Sequence, residues 1–178
     1  MATVLQLPVR SNQTEFNLNR WEELLADPFL AKIDGRVETD RHGHILMSPP
    51  ASQFHGSFQF EVGRLLSQLL PSGKVVTECP ISTDDGVRAA DVAWLSAPRA
   101  EETRDQACLR IAPEICVEIR SPSNTDVELK EKAALYFAAG AQEVWWCEKS
   151  GEMRFFAAPE RELAASSLCP RFPRRVQA

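Results

Sequence analysis

The sequence predicts a mixed α/β domain with helices packed on a central β-sheet. Two strand-like apolar runs and one helical stripe predict it. Ile115-Cys116-Val117-Glu118-Ile119 is apolar enough to be a buried strand, and Glu143-Val144-Trp145-Trp146-Cys147 is apolar on both alternating faces, as in a strand covered on both sides. Phe54, Phe58, Val62, Leu65, Leu66 and Leu69 instead recur at helical spacing.

The elements follow in order. Residues 1–16 read as an N-terminal extension, expected to be flexible, ahead of a single domain over 17–178. Asn19 with Glu22 three residues on offers a cap for a short helix whose apolar face is Trp21, Leu24 and Leu25. Gly35 to Thr39 and His44 to Met47 flank Asp40-Arg41-His42-Gly43, a β-hairpin with Gly43 in its turn. Ser52 opens the longest helix, which Pro71-Ser72-Gly73 stops. Lys74 to Thr77 reads as a strand, and Ser82 to Gly86 as a turn. Asp91 to Leu95 is a strand that Asp91 begins, and Arg99 to Gln106 is a surface helical turn. The capping box Thr125-Asp126-Val127-Glu128 starts a helix that Gly140 ends. Met153 to Phe156 closes the sheet.

Composition bounds the function. The chain has 178 residues, 44% hydrophobic and 25% charged, as in an ordinary globular domain. No run reaches the ~20 apolar residues that span a bilayer, and Met1 to Arg10 lacks the pattern of a signal peptide. Five scattered cysteines form no CxxC pair and suit a reduced, cytoplasmic setting without structural zinc. The net charge of −5 disfavours indiscriminate coating of nucleic acid.

Glu118 carries the chemistry. An ionised Glu in a buried strand costs several kcal/mol unless a cation, metal or hydrogen bonds compensate it. Alternation along the strand puts Cys116, Glu118 and Arg120 on one face. Asp91 lies 118 − 91 = 27 residues earlier, enough for a strand, a loop and a return to a neighbouring strand. On the next helix Glu128, Lys132 and Tyr136 share a face. Two carboxylates and a lysine at adjacent strand ends can hold a hard cation such as Mg²⁺ and activate water against a phosphate. Blander readings stand beside this one. Asp91 can cap a loop, Glu118 can pair with Arg120 or Lys132, and Glu128 fits the capping box best. Lys132 can be a solvated partner of Glu128, and Tyr136 a packing residue with a hydrogen-bonding tip. His55 reads as a capping or packing histidine. Glu38 and Glu61 are further acids, and Arg171 to Arg175 is a basic tail.

The residues Arg88-Ala-Ala-Asp91-Val-Ala-Trp, Ala112-Pro-Glu-Ile-Cys-Val-Glu118-Ile-Arg-Ser-Pro-Ser123, Glu128 to Lys132 with Tyr136, and Gly140-Ala-Gln-Glu-Val-Trp-Trp resemble the Uma-two family. Arg36-Val-Glu38, Gly43 to Pro50 and Ser167 to Phe172 match it too, so the likeness runs from about Arg20 to Val176. These are restriction-endonuclease-like proteins of the PD-(D/E)xK nuclease fold. The resemblance implies a four-stranded mixed core sheet flanked by helices, with the N-terminal helix and hairpin as an extension. It implies Asp91, Glu118 and the Ile119 carbonyl as ligands of Mg²⁺, for which Mn²⁺ can substitute. Two positions depart from the pattern. Ala90 replaces the proline usual before the aspartate, and Arg120 stands where the signature has lysine. Arginine stays protonated and cannot serve as a base, so the lysine role falls to Lys132, with Asp91, Glu118 and Lys132 as the catalytic set. Arg88, Arg120 and Lys130 are the candidate phosphate contacts. The expected activity is metal-dependent endonucleolytic hydrolysis of DNA. The alternative is a fold that no longer cuts and serves as a nucleic-acid-binding or assembly module. A homodimer paired through the Met153–Phe156 edge is a further expectation.

Overall fold

In the computed structural model, residues 11–32, 35–121 and 124–178 are described; residues 1–10 of the expected extension, and Pro122 and Ser123 of the family motif, lie outside them. Helix α1 spans Gln13–Ala26. Its cap is Asn12, whose side chain accepts from the Glu15 amide, not Asn19, which sits within the helix. Trp21 and Leu24 are buried as expected, but Leu25 is 60% exposed. A 3₁₀ turn at Leu30–Lys32 leads into the hairpin β1 (Arg36–Thr39) and β2 (Ile45–Ser48). Gly43 takes φ +83 in the turn, the left-handed region open to glycine.

Helix α2 (Gln53–Leu69) is capped by Ser52 and buries Phe58, Val62 and Leu66. Strands β3 (Lys74–Thr83) and β4 (Gly86–Leu95) follow, then α3 (Ala97–Glu102), β5 (Ile115–Ile119), α4 (Asp126–Ala138), β6 (Glu143–Cys147), β7 (Met153–Ala158) and β8 (Arg161–Leu163). The central sheet has six strands in the order β3-β4-β5-β6-β7-β8. Only β5 and β6 run parallel, as the crossover through α4 requires. Val92, Val117, Ile119 and Trp145 face the α2 side with Phe58 and Leu66. Cys116, Ala93, Val144 and Trp146 face the α4 side with Leu129, Ala133 and Tyr136. Helix α2 thus covers one face of the sheet and α4 the other, while α1 packs on β3 and β4 through Trp21, Leu24 and Val87.

The sheet also differs from the sequence reading. Strand β3 continues to Thr83 and β4 begins at Gly86, so Asp91 lies inside a ten-residue strand rather than at its start. Ser82 and Thr83 resemble turn residues, yet they are buried. Asn17 donates to Ser82 Oγ and the Thr83 carbonyl, and the Thr83 hydroxyl donates to the Gly86 carbonyl. Finally, β7 is not the sheet edge: β8 pairs with it, so the edge proposed for a homodimer is already occupied. Strand β8 is short and polar, which hides it in the sequence.

Candidate active site

The site forms where β4 and β5 part. Their ladder pairs Trp94 with Ile115, Ala93 with Cys116 and Val92 with Val117, then ends. One more step of that register sets Asp91 against Glu118, which is how acids 27 residues apart in sequence become neighbours. Beyond the fork, backbone groups need partners other than a strand. The Ile119 amide donates to Asp91 Oδ2 at 2.6 Å. The Val87 amide donates to the Thr39 hydroxyl at 2.9 Å and the Ala89 amide to Glu38 Oε1 at 2.8 Å, so β1 side chains replace the missing strand. Lys132 Nζ donates to the Ala89 carbonyl at 3.1 Å. On the other side of β4, Glu78 takes φ +49, and Gln59 of α2 donates to the Asp91 carbonyl at 2.9 Å.

Glu118, 5% exposed, is held at both oxygens. Tyr136 Oη donates to Oε1 at 2.7 Å and Lys132 Nζ to Oε2 at 3.0 Å. Helix α4 delivers both donors from positions four apart, one turn of a helix. Lys132 also lies 3.0 Å from Glu38 Oε1. Asp91 is 1% exposed and is gripped by the Arg36 guanidinium at Oδ1, while His55 Nε2 lies 3.3 Å from Oδ2.

These contacts set the protonation states. Burial pushes the Glu118 carboxyl up to about 7; the Asp91 and Glu38 charges add to this, while Lys132 and Arg36 oppose it. Burial would raise Asp91 as well, but the His55 hydrogen bond and the charges of Arg36 and Lys132 hold it below the usual carboxylate value. Burial works against the Lys132 ammonium, yet Glu118, Glu38 and Asp91 together raise its pKa. The hydrogen bond to Asp91 raises His55 despite its partial burial.

An open cleft of about 900 Å³ exposes this cluster, bounded by Asp91, Glu118, Ile119 and Lys132 below and by Ser48 to Ser52 at the rim. A family model for Uma2, described as "Putative restriction endonuclease", matches residues 21–172. The chain belongs to the Uma2 family. No curated protein matches it significantly. Among solved structures, that of "a putative nuclease belonging to DUF820" from Anabaena variabilis is similar, with a TM-score of 0.63 and 18% identity, covering 85% of this chain and 92% of that one. That likeness is one of fold.

In this Uma2 chain, Asp91, Glu118, Ile119 and Lys132 therefore meet at one place. Arg88 lines the same cleft, with its guanidinium on Asp85 at 2.6 Å. Arg120 does not join them; it bonds Asp126 and lies 2.9 Å from Glu148. Of the two partners open to Glu118 in the sequence, Arg120 and Lys132, the structure has Lys132. Lys130 is exposed on α4, and Glu128 closes the capping box with Thr125 rather than reaching the sheet with Lys132 and Tyr136. Sequence reasoning missed Arg36 and placed His55 as a capping or packing residue. Strand alternation puts Arg36 and Glu38 on one face of β1, but only the docking of the hairpin on β4 reveals what that face meets.

Proposed function

We propose that this Uma2 protein is a metal-dependent endonuclease that hydrolyses DNA phosphodiester bonds. The observation that supports it is the convergence of the Asp91 and Glu118 carboxylates with the Lys132 ammonium at the fork of β4 and β5. The donor set fits Mg²⁺: two carboxylates and the Ile119 carbonyl are hard oxygens, and Mg²⁺ keeps several waters. Among the described residues, no three His, Cys, Asp or Glu side chains form a metal cluster, so water would have to complete the ion's shell. Mg²⁺, or Mn²⁺ in its place, would supply a water of lowered pKa for in-line attack at phosphorus.

The chain's own residues do the rest. Tyr136 and Lys132 hold the two Glu118 oxygens, so that carboxylate presents one fixed orientation. Lys132 keeps its proton, so it acts as an orienting donor and a counter-charge to the phosphoryl oxygens, not as a base. The cleft is lined by seven acids (Glu38, Glu78, Asp85, Asp91, Glu118, Glu128 and Glu131) against Arg36, Arg88 and Lys132. Such a surface repels a polyanion until a cation offsets it, which supports metal dependence. Of the three candidate phosphate contacts, Arg88 lines the cleft and Lys130 and Arg120 do not.

The test is cleavage of plasmid and single-stranded DNA with Mn²⁺. Glu118→Gln and Asp91→Asn should each lower the rate by about 100-fold or more. Mn²⁺ binding without cleavage over a broad panel of substrates would instead support the non-cutting binding or assembly module.

A further inference from the structure

Arg36 sits where a cation would be expected. Its Nη1 bonds Asp91 Oδ1, the oxygen not used by Ile119 or His55. Asp91 is 1% exposed. The Arg36 side chain keeps 19% exposure, and both residues line the cleft. A cation that binds Oδ1 must therefore compete with Arg36 for it. Its remaining donors are less firmly held. Nε lies 3.3 Å from Glu78 and Nη2 3.4 Å from Glu38, but both are buried without a hydrogen bond. A planar guanidinium normally uses its donors in paired, well-directed bonds. Here charge holds it more than geometry does. Glu78 is 45% exposed on its side chain, so it offers an outward place for the same group.

We infer that Arg36 is a resident counter-ion that occupies the cation seat at Asp91, and that it turns outward towards Glu78 when a divalent cation is bound. The inference rests on the cation-binding reading of Asp91 and Glu118. Arg36 is then a positioning residue: it keeps the acids neutralised in the ion-free protein and sets how tightly the ion binds. A group that binds the same carboxylate and is displaced by the ion lowers its affinity by the coupling between them, typically 5- to 150-fold.

The test measures Mn²⁺ affinity by calorimetry on the full chain, without substrate. Arg36→Gln removes the competing charge and should bind Mn²⁺ about tenfold more tightly or better. Arg36→Lys keeps a cation there and should stay within about threefold of the wild type, since the competing charge remains. Asp91→Asn should abolish binding in either background. Equal or weaker binding by Arg36→Gln, with Asp91→Asn still destroying the site, overturns the role of Arg36 and leaves the cation site standing. No binding by either the wild type or Arg36→Gln overturns both. Binding by Arg36→Gln alone, lost again with Asp91→Asn, supports the inference in its strongest form. If Arg36→Gln is unfolded in chelator, circular dichroism during Mn²⁺ addition replaces calorimetry. Folding with a midpoint below the wild-type Kd supports the inference, and failure to fold at saturating Mn²⁺ overturns it.

Discussion

Lys132→Met removes the ammonium that the site is built around. Nζ lies 3.0 Å from Glu118 Oε2, 3.0 Å from Glu38 Oε1 and 3.1 Å from the Ala89 carbonyl. Methionine fills much of the same volume but leaves Glu118 Oε2 and the Ala89 carbonyl without this donor, and Glu38 without this counter-charge. Breaking a buried pair by removing one partner costs about 3–5 kcal/mol. The Lys132 side chain keeps 18% of its exposure, so water recovers part of this and the lower end, about 3 kcal/mol, applies. In a domain of this size each kcal/mol moves Tm by about 2–4 °C, giving a fall of roughly 6–12 °C. Urea unfolding in chelator measures it directly. Adding Glu118→Gln should return part of the loss, because the amide does not need a cation, and the double-mutant cycle reads that coupling. A loss under about 1 kcal/mol would mark Lys132 as a solvated surface lysine and refute the reasoning.

Three further outcomes follow from the same contacts. Because burial raises Glu118 from an ordinary 4.5 to about 7, the folded protein binds more protons than the unfolded chain between those values. Stability should therefore fall as pH rises through that window; in chelator the wild type should lose stability relative to Glu118→Gln from pH 4.5 to 7, and parallel pH curves would contradict this. Glu143→Ala deletes an acceptor for Trp145 Nε1, Ser166 Oγ and the Ser167 and Leu168 amides, and urea midpoints should report a cost of about 2–4 kcal/mol. Gly86→Ala places a Cβ 2.2 Å from the Thr39 carbonyl at φ +88, so thermal unfolding should show a loss of about 2 kcal/mol or more.

The sequence carried more of the site than of its surroundings. Glu118 stood out because an acid interrupts an apolar strand, and Lys132 and Tyr136 because four-residue spacing on a helix sets them on one face. Their contact with Glu118 needs only that α4 lie on the face to which Glu118 points. Asp91 is legible from a strand that can return beside Glu118, and the family pattern strengthens it, but its strand starts earlier than the sequence suggests. The polar Ser82 and Thr83 read as loop, although Asn17 and Gly86 satisfy them inside the sheet. Arg36 and His55 were out of reach for a different reason. Both come to Asp91 from elements whose placement depends on packing: the hairpin on the open edge of β4, and the first turn of α2 across the sheet end. Local pattern predicts such elements, not where they dock.

The central claim is that Asp91 and Glu118 share one divalent cation at the fork of the sheet. A crystal grown with Mn²⁺ and examined by anomalous diffraction tests it most directly. The account predicts one strong peak within about 2.0–2.3 Å of a carboxylate oxygen of each acid, with the Arg36 guanidinium displaced from Asp91. A map with no peak there at saturating Mn²⁺, and Arg36 still seated on Asp91, would contradict it.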